Sequence, residues 1–285
     1  MAQAPVSLTV GCGSTEFDAE AYYAKELGFF QKAGLNVVIQ RLRGGPDVQA
    51  AVAGGSFQIG DTNVLSLAEA KQRGQSITVI APGADYTAAA PTSLLVVMPD
   101  SPVHSAKDLA GMTVAGISVG GLDQLYIDAW LDKNGGDINS VKFTELPPSA
   151  MVPALEAGRI AAASLSEPFL DMNRSKLRVL ARDVEALAPN SMITAWFTTS
   201  EWAANNPAAV KAFAGAIGEA AVWANKNPEA AAKILAKYMA IEEPRTHAHY
   251  AERLVPALVQ PILDNAAKYK LLNAPMTYAE LTGTK

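Results

Sequence analysis

Short runs of glycine, hydroxyl and carboxylate residues recur along this 285-residue sequence, each next to a stretch that reads as a β-strand. Residues of these types bind small polar molecules through backbone amides, hydroxyl groups and charges. No serine, histidine and aspartate set has the spacing of a nucleophile elbow, so we predict no catalytic residues. The candidate ligand-binding residues are Ser14, Thr15, Phe17, Asp18, Gly44, Gly45, Thr62, Asn63, Asp85, Tyr86, Ser118, Val119, Gly120, Gly121, Asp123, Glu167 and Trp196.

Two of these runs consist mainly of glycine. The pair Gly44-Gly45 lets the backbone approach a ligand closely, because no side chain intervenes. The run at 118–121 precedes a predicted helix, whose N-terminal amides and partial positive charge suit an anion or a carbonyl group. A tight turn with an ordinary helix cap is the alternative interpretation of both runs.

Hydroxyl and amide side chains follow the first and third predicted strands. Ser14 and Thr15 can donate to the acceptors of a ligand, and Asp18 lies in the same loop. Thr62 and Asn63 can point into the same crevice. Capping of the following helices is the competing role for these side chains.

Carboxylates and aromatic rings complete the candidate set. Asp85 beside Tyr86 suits a ring that carries an amine, and Asp123 can add a contact beside the second glycine run. Glu167 can pair with an amine or fix a contact at a hinge. Trp196 can stack on a planar ligand or pack at a hinge.

The elements that must position these residues alternate between helix and strand. Residues 21–31 read as a helix, 35–42 as a strand, 47–53 as a helix and 57–60 as a strand. This alternation predicts a parallel sheet with helices on its faces. In such α/β sheets, ligands bind at the carboxyl ends of the strands.

Two ordered motifs lie far apart in the chain. The first is AKELGFF at 24–30, followed by GLNVVI at 34–39, and the second is ALEAGRI at 154–160, followed by EPF at 167–169. Both resemble motifs of the periplasmic substrate-binding proteins of ABC importers, in the group that includes binders of alkanesulfonates, taurine, nitrate and thiamine pyrimidines. The resemblance covers nearly the whole chain.

The resemblance implies the α/β fold of periplasmic binding protein type II, with two α/β lobes joined by two hinge strands. Lobe one is then discontinuous, over residues 1–95 and 197–285, and lobe two covers residues 96–196. The cleft between the lobes is the expected ligand site. Hinge closure around a small ligand is the usual motion of such proteins.

Composition excludes several other functions. The net charge of −5, without a run of lysine or arginine, argues against nucleic acid as a partner. No apolar run reaches the length of about 18 residues that a membrane span needs. Cys12 is the single cysteine, so no intramolecular disulfide can form, and the three histidines are not clustered as metal ligands would be. We expect no cofactor and no metal, and a monomer.

The first five residues, MAQAP, resemble an initiator methionine placed before the small residues that end a cleaved signal peptide. We therefore expect a periplasmic protein whose signal peptide is absent from this sequence. An ordinary cytoplasmic N-terminus that happens to be rich in alanine is the alternative.

The function implied by the resemblance is capture of a small organic ligand and its delivery to the transmembrane subunits of an ABC permease. Because acidic residues outnumber basic ones in the candidate loops, we expect a neutral or amine-bearing nitrogen heterocycle. A sulfonate- or nitrate-type anion is one alternative. The others are a periplasmic sensor module and an enzyme on the same fold, similar to thiamine-pyrimidine synthase or chorismate dehydratase. The first of these enzymes carries a cysteine-rich run that this chain lacks.

Overall fold

The structure is a computed structural model that describes residues 4–13, 15–42, 44–239 and 248–283. None of the helices within these ranges is both long and apolar enough to cross a membrane. The strands are β1 (Val6–Cys12), β2 (Leu35–Arg41), β3 (Ile59–Asn63), β4 (Ile77–Pro82), β5 (Ala84–Thr87), β6 (Ser93–Val97), β7 (Thr113–Gly116), β8 (Lys142–Glu145), β9 (Ala162–Ser166), β10 (Arg178–Ala181), β11 (Asn190–Met192), β12 (Thr194–Thr199) and β13 (His249–Tyr250). The helices are α1 (Glu20–Glu26), α2 (Phe29–Lys32), α3 (Gly45–Ala53), α4 (Val64–Gln72), α5 (Leu122–Lys133), α6 (Pro148–Glu156), α7 (Phe169–Asn173), α8 (Ser200–Asn205), α9 (Pro207–Lys226), α10 (Pro228–Met239), α11 (Pro256–Lys268) and α12 (Tyr278–Thr282).

Two five-stranded sheets share one strand arrangement. The first has the order β2-β1-β3-β12-β4, in which β2, β1 and β3 run parallel, as predicted, and β12 runs antiparallel to both neighbours. The second has the order β8-β7-β9-β6-β10, in which β8, β7 and β9 run parallel and β6 runs antiparallel to both neighbours. β12 lies outside the residues from which the parallel sheet was predicted, and it is antiparallel because it enters the first sheet from the opposite side, directly after the chain leaves the second.

A short third sheet carries both connections between these two sheets. It has the order β11-β5-β13, with β5 antiparallel to each neighbour. β5 lies on the path of the chain from β4 to β6, and β11 lies on the return path from β10 to β12. The register pairs Ser191 with Tyr86 and Met192 with Asp85. The two connecting segments are thus hydrogen-bonded neighbours, the arrangement expected of two hinge strands.

Sheet membership places the connections slightly before the positions expected from the sequence. β6 belongs wholly to the second sheet and β12 wholly to the first, so the connecting segments are residues 84–92 and 187–193. The expected boundaries at 95 and 197 fall inside these two strands. A connecting strand and the first strand of the next sheet are both short β-forming runs, which is why the sequence does not separate them. The division into two lobes remains a prediction.

Other departures from the predicted elements have local causes. The helix predicted at 21–31 is divided at Gly28, whose φ of 74° lies in the left-handed region that glycine readily adopts. Thr199 caps α8, because its hydroxyl accepts a backbone amide of the first turn. Pro207 begins α9, since a helix start does not need the amide that proline lacks.

Aromatic rings fill the core between the first sheet and the helices α1, α2 and α9. Trp196 packs edge-on against Phe213, and Phe213 stacks on Phe30, both with ring centroids 5.4 Å apart. Tyr23 meets Tyr250 edge-on at 5.8 Å. Helix α5, which belongs to the layer of the second sheet, adds buried residues to the same cluster. The two layers therefore pack directly against each other.

We expect Phe213→Ala to lower the free energy of unfolding by about 3–5 kcal/mol, because it removes a fully buried ring and leaves a cavity between Trp196 and Phe30. Urea unfolding monitored by circular dichroism measures this change. Lys211→Ala, at an exposed position of the same helix, is the matched control and is expected to leave the midpoint unchanged. Equal midpoints for the two variants would contradict this description of the core.

Candidate functional site

The loop after β1 is closed by its own carboxylate. Asp18 accepts hydrogen bonds from the Gly13 amide (3.1 Å), the Thr15 amide (3.1 Å) and the Thr15 hydroxyl (2.8 Å). Burial raises the pKa of Asp18, although these three donors oppose the shift. Phe17 is buried in the core. Ser14, a candidate from the sequence, lies outside the described residues. The structure thus gives Thr15 and Asp18 the task of holding this loop.

The first glycine run lies against the end of β3. Gly45 begins α3, and a Cβ atom at this position would overlap the hydroxyl of Thr62. That hydroxyl is buried and has no hydrogen-bond partner. Asn63 caps α4, because its side chain accepts the Ser66 amide at 2.8 Å. The structure therefore brings together Gly44, Gly45, Thr62 and Asn63, which the sequence singled out separately.

Trp196 lies in the core beneath the same edge of the first sheet. Its indole N–H donates to Glu20 at 2.8 Å, and its ring is fully buried against Phe213. In this arrangement the ring contributes packing and presents no exposed face for stacking. Glu20, which is also fully buried, was not singled out from the sequence because a glutamate in a helix ordinarily faces solvent. The apolar residues that surround it in α1 were the one available indication.

Asp61 pairs in register with Trp196 across β3 and β12 and is 1% exposed. Neither of its carboxylate oxygens has a hydrogen-bond partner within 3.5 Å, although Thr194 and the Thr62 amide lie near enough to favour its charge in part. Burial raises the pKa of Asp61 well above its usual value, and the charges of Asp18 and Glu20 raise it further. Three carboxylates therefore lie close together under the loop that follows β1.

Asp85 and Tyr86 lie on β5, in the short third sheet. Asp85 pairs with the Nδ1 atom of His249 on β13. The Tyr86 hydroxyl donates to Glu185 at 3.1 Å, and its ring is fully buried. Both side chains thus join the connecting strands to neighbouring segments.

The second glycine run satisfies its own amides. The Gly120 amide donates to the Gln124 side chain at 2.8 Å, and the Gly121 amide donates to the Ser118 carbonyl at 3.2 Å. Val119 is 62% exposed at the tip of this loop. These two amides, on which an anion site would depend, are therefore already engaged.

A second group of buried carboxylates follows this loop. Asp123 accepts the Ile117 amide at 2.7 Å, and burial raises its pKa to about 6. Burial and then the charge of Asp123 raise the pKa of Asp183 to about 7. The hydroxyl of Tyr126, in the same helix as Asp123, is buried without a partner. Acidic groups thus lie on both sides of the connection between the sheets.

Glu167 is fully buried and is paired within its own layer. Its carboxylate contacts Arg174 at 3.0 Å and accepts the Asp171 amide at 2.7 Å. Burial raises its pKa to about 7, and these two partners oppose the shift. Its backbone carbonyl accepts the Glu16 amide at 3.4 Å. Loops at the carboxyl ends of β1 and β9 therefore meet here, through backbone atoms rather than through the Glu167 carboxylate.

Two surface grooves lie away from these residues. One, of about 660 Å³, follows the end of α11 and includes Lys268 and Pro275. The other, of about 490 Å³, lies between α2 and α9 beside Trp223. Neither groove is lined by a candidate residue.

The family model described as NMT1/THI5 like matches residues 18–231. A protein of Brucella abortus (strain 2308), named as a binding protein, is 24% identical over 233 residues, which are 77% of this chain and 67% of that protein.

Solved structures share the fold. The periplasmic aliphatic sulphonate binding protein SsuA from Escherichia coli matches with a TM-score of 0.77 and 19% identity, over 97% of this chain and 91% of that chain. The periplasmic nitrate-binding protein NrtA from Synechocystis PCC 6803 matches with a TM-score of 0.80 and 16% identity, over 99% of this chain and 86% of that chain. The desulfurization enzyme DszB matches with a TM-score of 0.68 and 15% identity, over 97% of this chain and 96% of that chain. At these identities the likeness shows the fold and not the ligand or the activity.

The matched residues span well over half of the 285-residue chain, and both five-stranded sheets agree with the fold of these binding proteins. The chain belongs to the NMT1/THI5-like family and has the fold of the periplasmic binding proteins of ABC importers.

Proposed function

We propose that this protein is the periplasmic solute-binding component of an ABC importer, and that it closes on a small, amine-bearing nitrogen heterocycle. The observation that carries the proposal is the repeated strand order of the two sheets, joined through the paired strands β5 and β11. Two similar α/β layers on one pair of connecting strands can rotate about those strands with little change inside either layer. Binding between the layers is then coupled to closure.

The ligand site in this proposal is formed by loops from both layers. Gly44, Gly45, Thr62 and Asn63 lie at the edge of the first sheet, and the run at 118–121 lies at the edge of the second. The hydrogen bond from the Glu16 amide to the Glu167 carbonyl supports this pairing of the two edges, because it joins a loop of the first layer to a loop of the second. A ligand enters when the layers separate and is enclosed when they return.

The charge of the site supports a ligand with N–H donors. Asp18, Glu20 and Asp61 are buried together. Among the described residues, Arg174 and His249 are the basic groups in ion-pair contact with candidate residues, and their partners are the carboxylates of Glu167 and Asp85. A sulfonate or nitrate would need arginine, lysine or converging free amides. The names of SsuA and NrtA keep an anion as the second candidate, which the binding screen below separates from the first.

The proposal assigns binding rather than catalysis, although the DszB fold shows that related architectures perform chemistry. The single thiol, Cys12, is fully buried and donates to the Tyr22 hydroxyl at 3.2 Å. Burial, followed by the charge of Asp18, raises its pKa, so the thiol stays protonated and is a poor nucleophile. This argues against an enzyme that depends on a reactive cysteine.

The partners in this proposal are the transmembrane subunits of a permease, which would bind the outer surfaces of both lobes in the closed state. The protein would act as a monomer in the periplasm. A sensor protein that reads the closed state is the competing partner, and it would require the same ligand-driven closure.

A thermal-shift screen of aminopyrimidines, nucleobases, polyamines, sulfonates and nitrate tests the ligand class. A ligand at one hundred times its Kd stabilises the native state by about 2.7 kcal/mol, so we expect a clear rise in Tm with an amine-bearing heterocycle. Small-angle scattering is expected to show a smaller radius of gyration with the same compound. A shift with sulfonates or nitrate alone would replace the proposed ligand class by the anion, and a Tm shift without compaction would contradict hinge closure.

Gly45→Ala is expected to raise the Kd for the compound identified in the screen at least about tenfold, because the new methyl group displaces the Thr62 hydroxyl. Isothermal titration calorimetry measures this change. Gly215→Ala is the matched control, since this exposed position on α9 lies outside the candidate loops and a Cβ atom there meets nothing within 4 Å. Equal affinities for the two variants would remove Gly45 and Thr62 from the site.

A further inference from the structure

Most acidic candidates already have partners within the protein. Asp18 accepts three hydrogen bonds in its own loop, and Asp85 pairs with His249. Asp123 accepts a backbone amide, and Glu167 binds Arg174. Asp61 differs, because it is 1% exposed and both of its oxygens lack a hydrogen-bond partner. An isolated buried carboxylate is strongly unfavourable unless a proton or a cation neutralises it.

A second orphaned oxygen lies nearby. The Oε2 atom of Glu20 accepts the Trp196 indole N–H, whereas the Oε1 atom has no partner and is equally buried. Trp196 is the residue opposite Asp61 in the register of β3 and β12, and the charge of Glu20 is among those that raise the pKa of Asp61, so the two acidic groups are neighbours. The described chain supplies three unpaired carboxylate oxygens here, two from Asp61 and one from Glu20, and no cation among them.

We infer that Asp61, supported by Glu20, is the subsite that receives the protonated nitrogen of the ligand. This inference rests on the proposed function and specifies which chemical group of the ligand is recognised and by which residues. An organic cation fits better than a metal ion, because no three His, Cys, Asp or Glu side chains converge as metal ligands within the described ranges. A ring nitrogen or exocyclic amine with two N–H donors can bond to both carboxylates.

The same geometry predicts an effect without any ligand. In the unliganded protein, Asp61 faces Asp18 from the loop after β1, Glu20 from α1 and the Cys12 thiol from β1. Arg41 on β2 acts on the same thiol and is not among the charges that shift the pKa of Asp61 most. Its pKa in the folded protein is raised above the unfolded value, so the folded state binds the extra proton. The contribution of Asp61 to the free energy of unfolding is therefore fully present at low pH. It is lost as the pH rises from the pKa of Asp61 in the unfolded chain through its higher pKa in the folded protein. Removing the charge should therefore stabilise the unliganded protein at alkaline pH.

Asp61→Asn tests both effects. We expect its Tm without ligand to exceed that of the wild type at pH 8 by about 2 °C or more, with a smaller difference at pH 5. We also expect more than about a 30-fold loss of affinity for 4-aminopyridine, which is a cation at neutral pH, by calorimetry. Glu20→Gln keeps the acceptor for Trp196 and should lose less affinity. Asp128→Asn removes another buried carboxylate, on α5, and is the control that leaves binding unchanged.

The outcomes separate this inference from the proposed function. 4-Methylpyridine, the counterpart without the amine, is expected to bind the wild type weakly and to be insensitive to Asp61→Asn. Closure on a ligand with unchanged affinity in Asp61→Asn would overturn the subsite and leave the importer proposal standing. A fall in Tm for Asp61→Asn at pH 8 would show that Asp61 is a structural acid and would also overturn the subsite. Failure of the wild type to bind 4-aminopyridine at millimolar concentration would count against recognition of a cation.

Discussion

Each of the two large sheets receives its reversed strand directly from the other, and the rest of the architecture depends on this exchange. β6 reaches the second sheet from β5, and β12 reaches the first sheet from β11. Both reversed strands are interior strands, paired on both sides, so neither sheet is complete until the chain has crossed. The crossings must therefore be short and close together. Their pairing in the third sheet fixes the line about which the two layers can rotate.

This topology also determines where charge can be buried. The carboxyl ends of β1 and β3 lie under the loop held by Asp18, and those of β7 and β9 lie under the run at 118–121 and Glu167. Most of the acidic groups at these edges accept hydrogen bonds from backbone amides or pair with His249 or Arg174. Asp61 is the exception that gives the site its proposed preference for a cation. A protein that keeps one unpaired charge for its ligand is less stable without it, which is a common conflict between stability and function.

The sequence predicted the alternating elements and the family, because these depend on local pattern. It singled out Gly45 and Thr62 separately, from the glycine and hydroxyl residues that follow predicted strands, and the structure places them in contact. Glu20 was missed, because helical spacing does not reveal that a glutamate faces the sheet. Trp196 was ambiguous, as a tryptophan near a connection can pack or stack with equal ease.

Nonlocal features were beyond the sequence. The contact of the Glu16 amide with the Glu167 carbonyl joins residues about half the chain apart, and the antiparallel entry of β12 depends on the path of the whole second layer. β5 was not predicted as a strand, because Ala84–Thr87 is short and contains a charged residue, whose partner His249 lies far away in the sequence.

A crystal structure of the protein with the heterocycle identified by the screen tests the central claim most directly. The account predicts a ligand enclosed between the two sheets, with a nitrogen about 2.7–3.2 Å from an Asp61 oxygen. A ligand bound elsewhere, or an anion held by loop amides with Asp61 uninvolved, would contradict it.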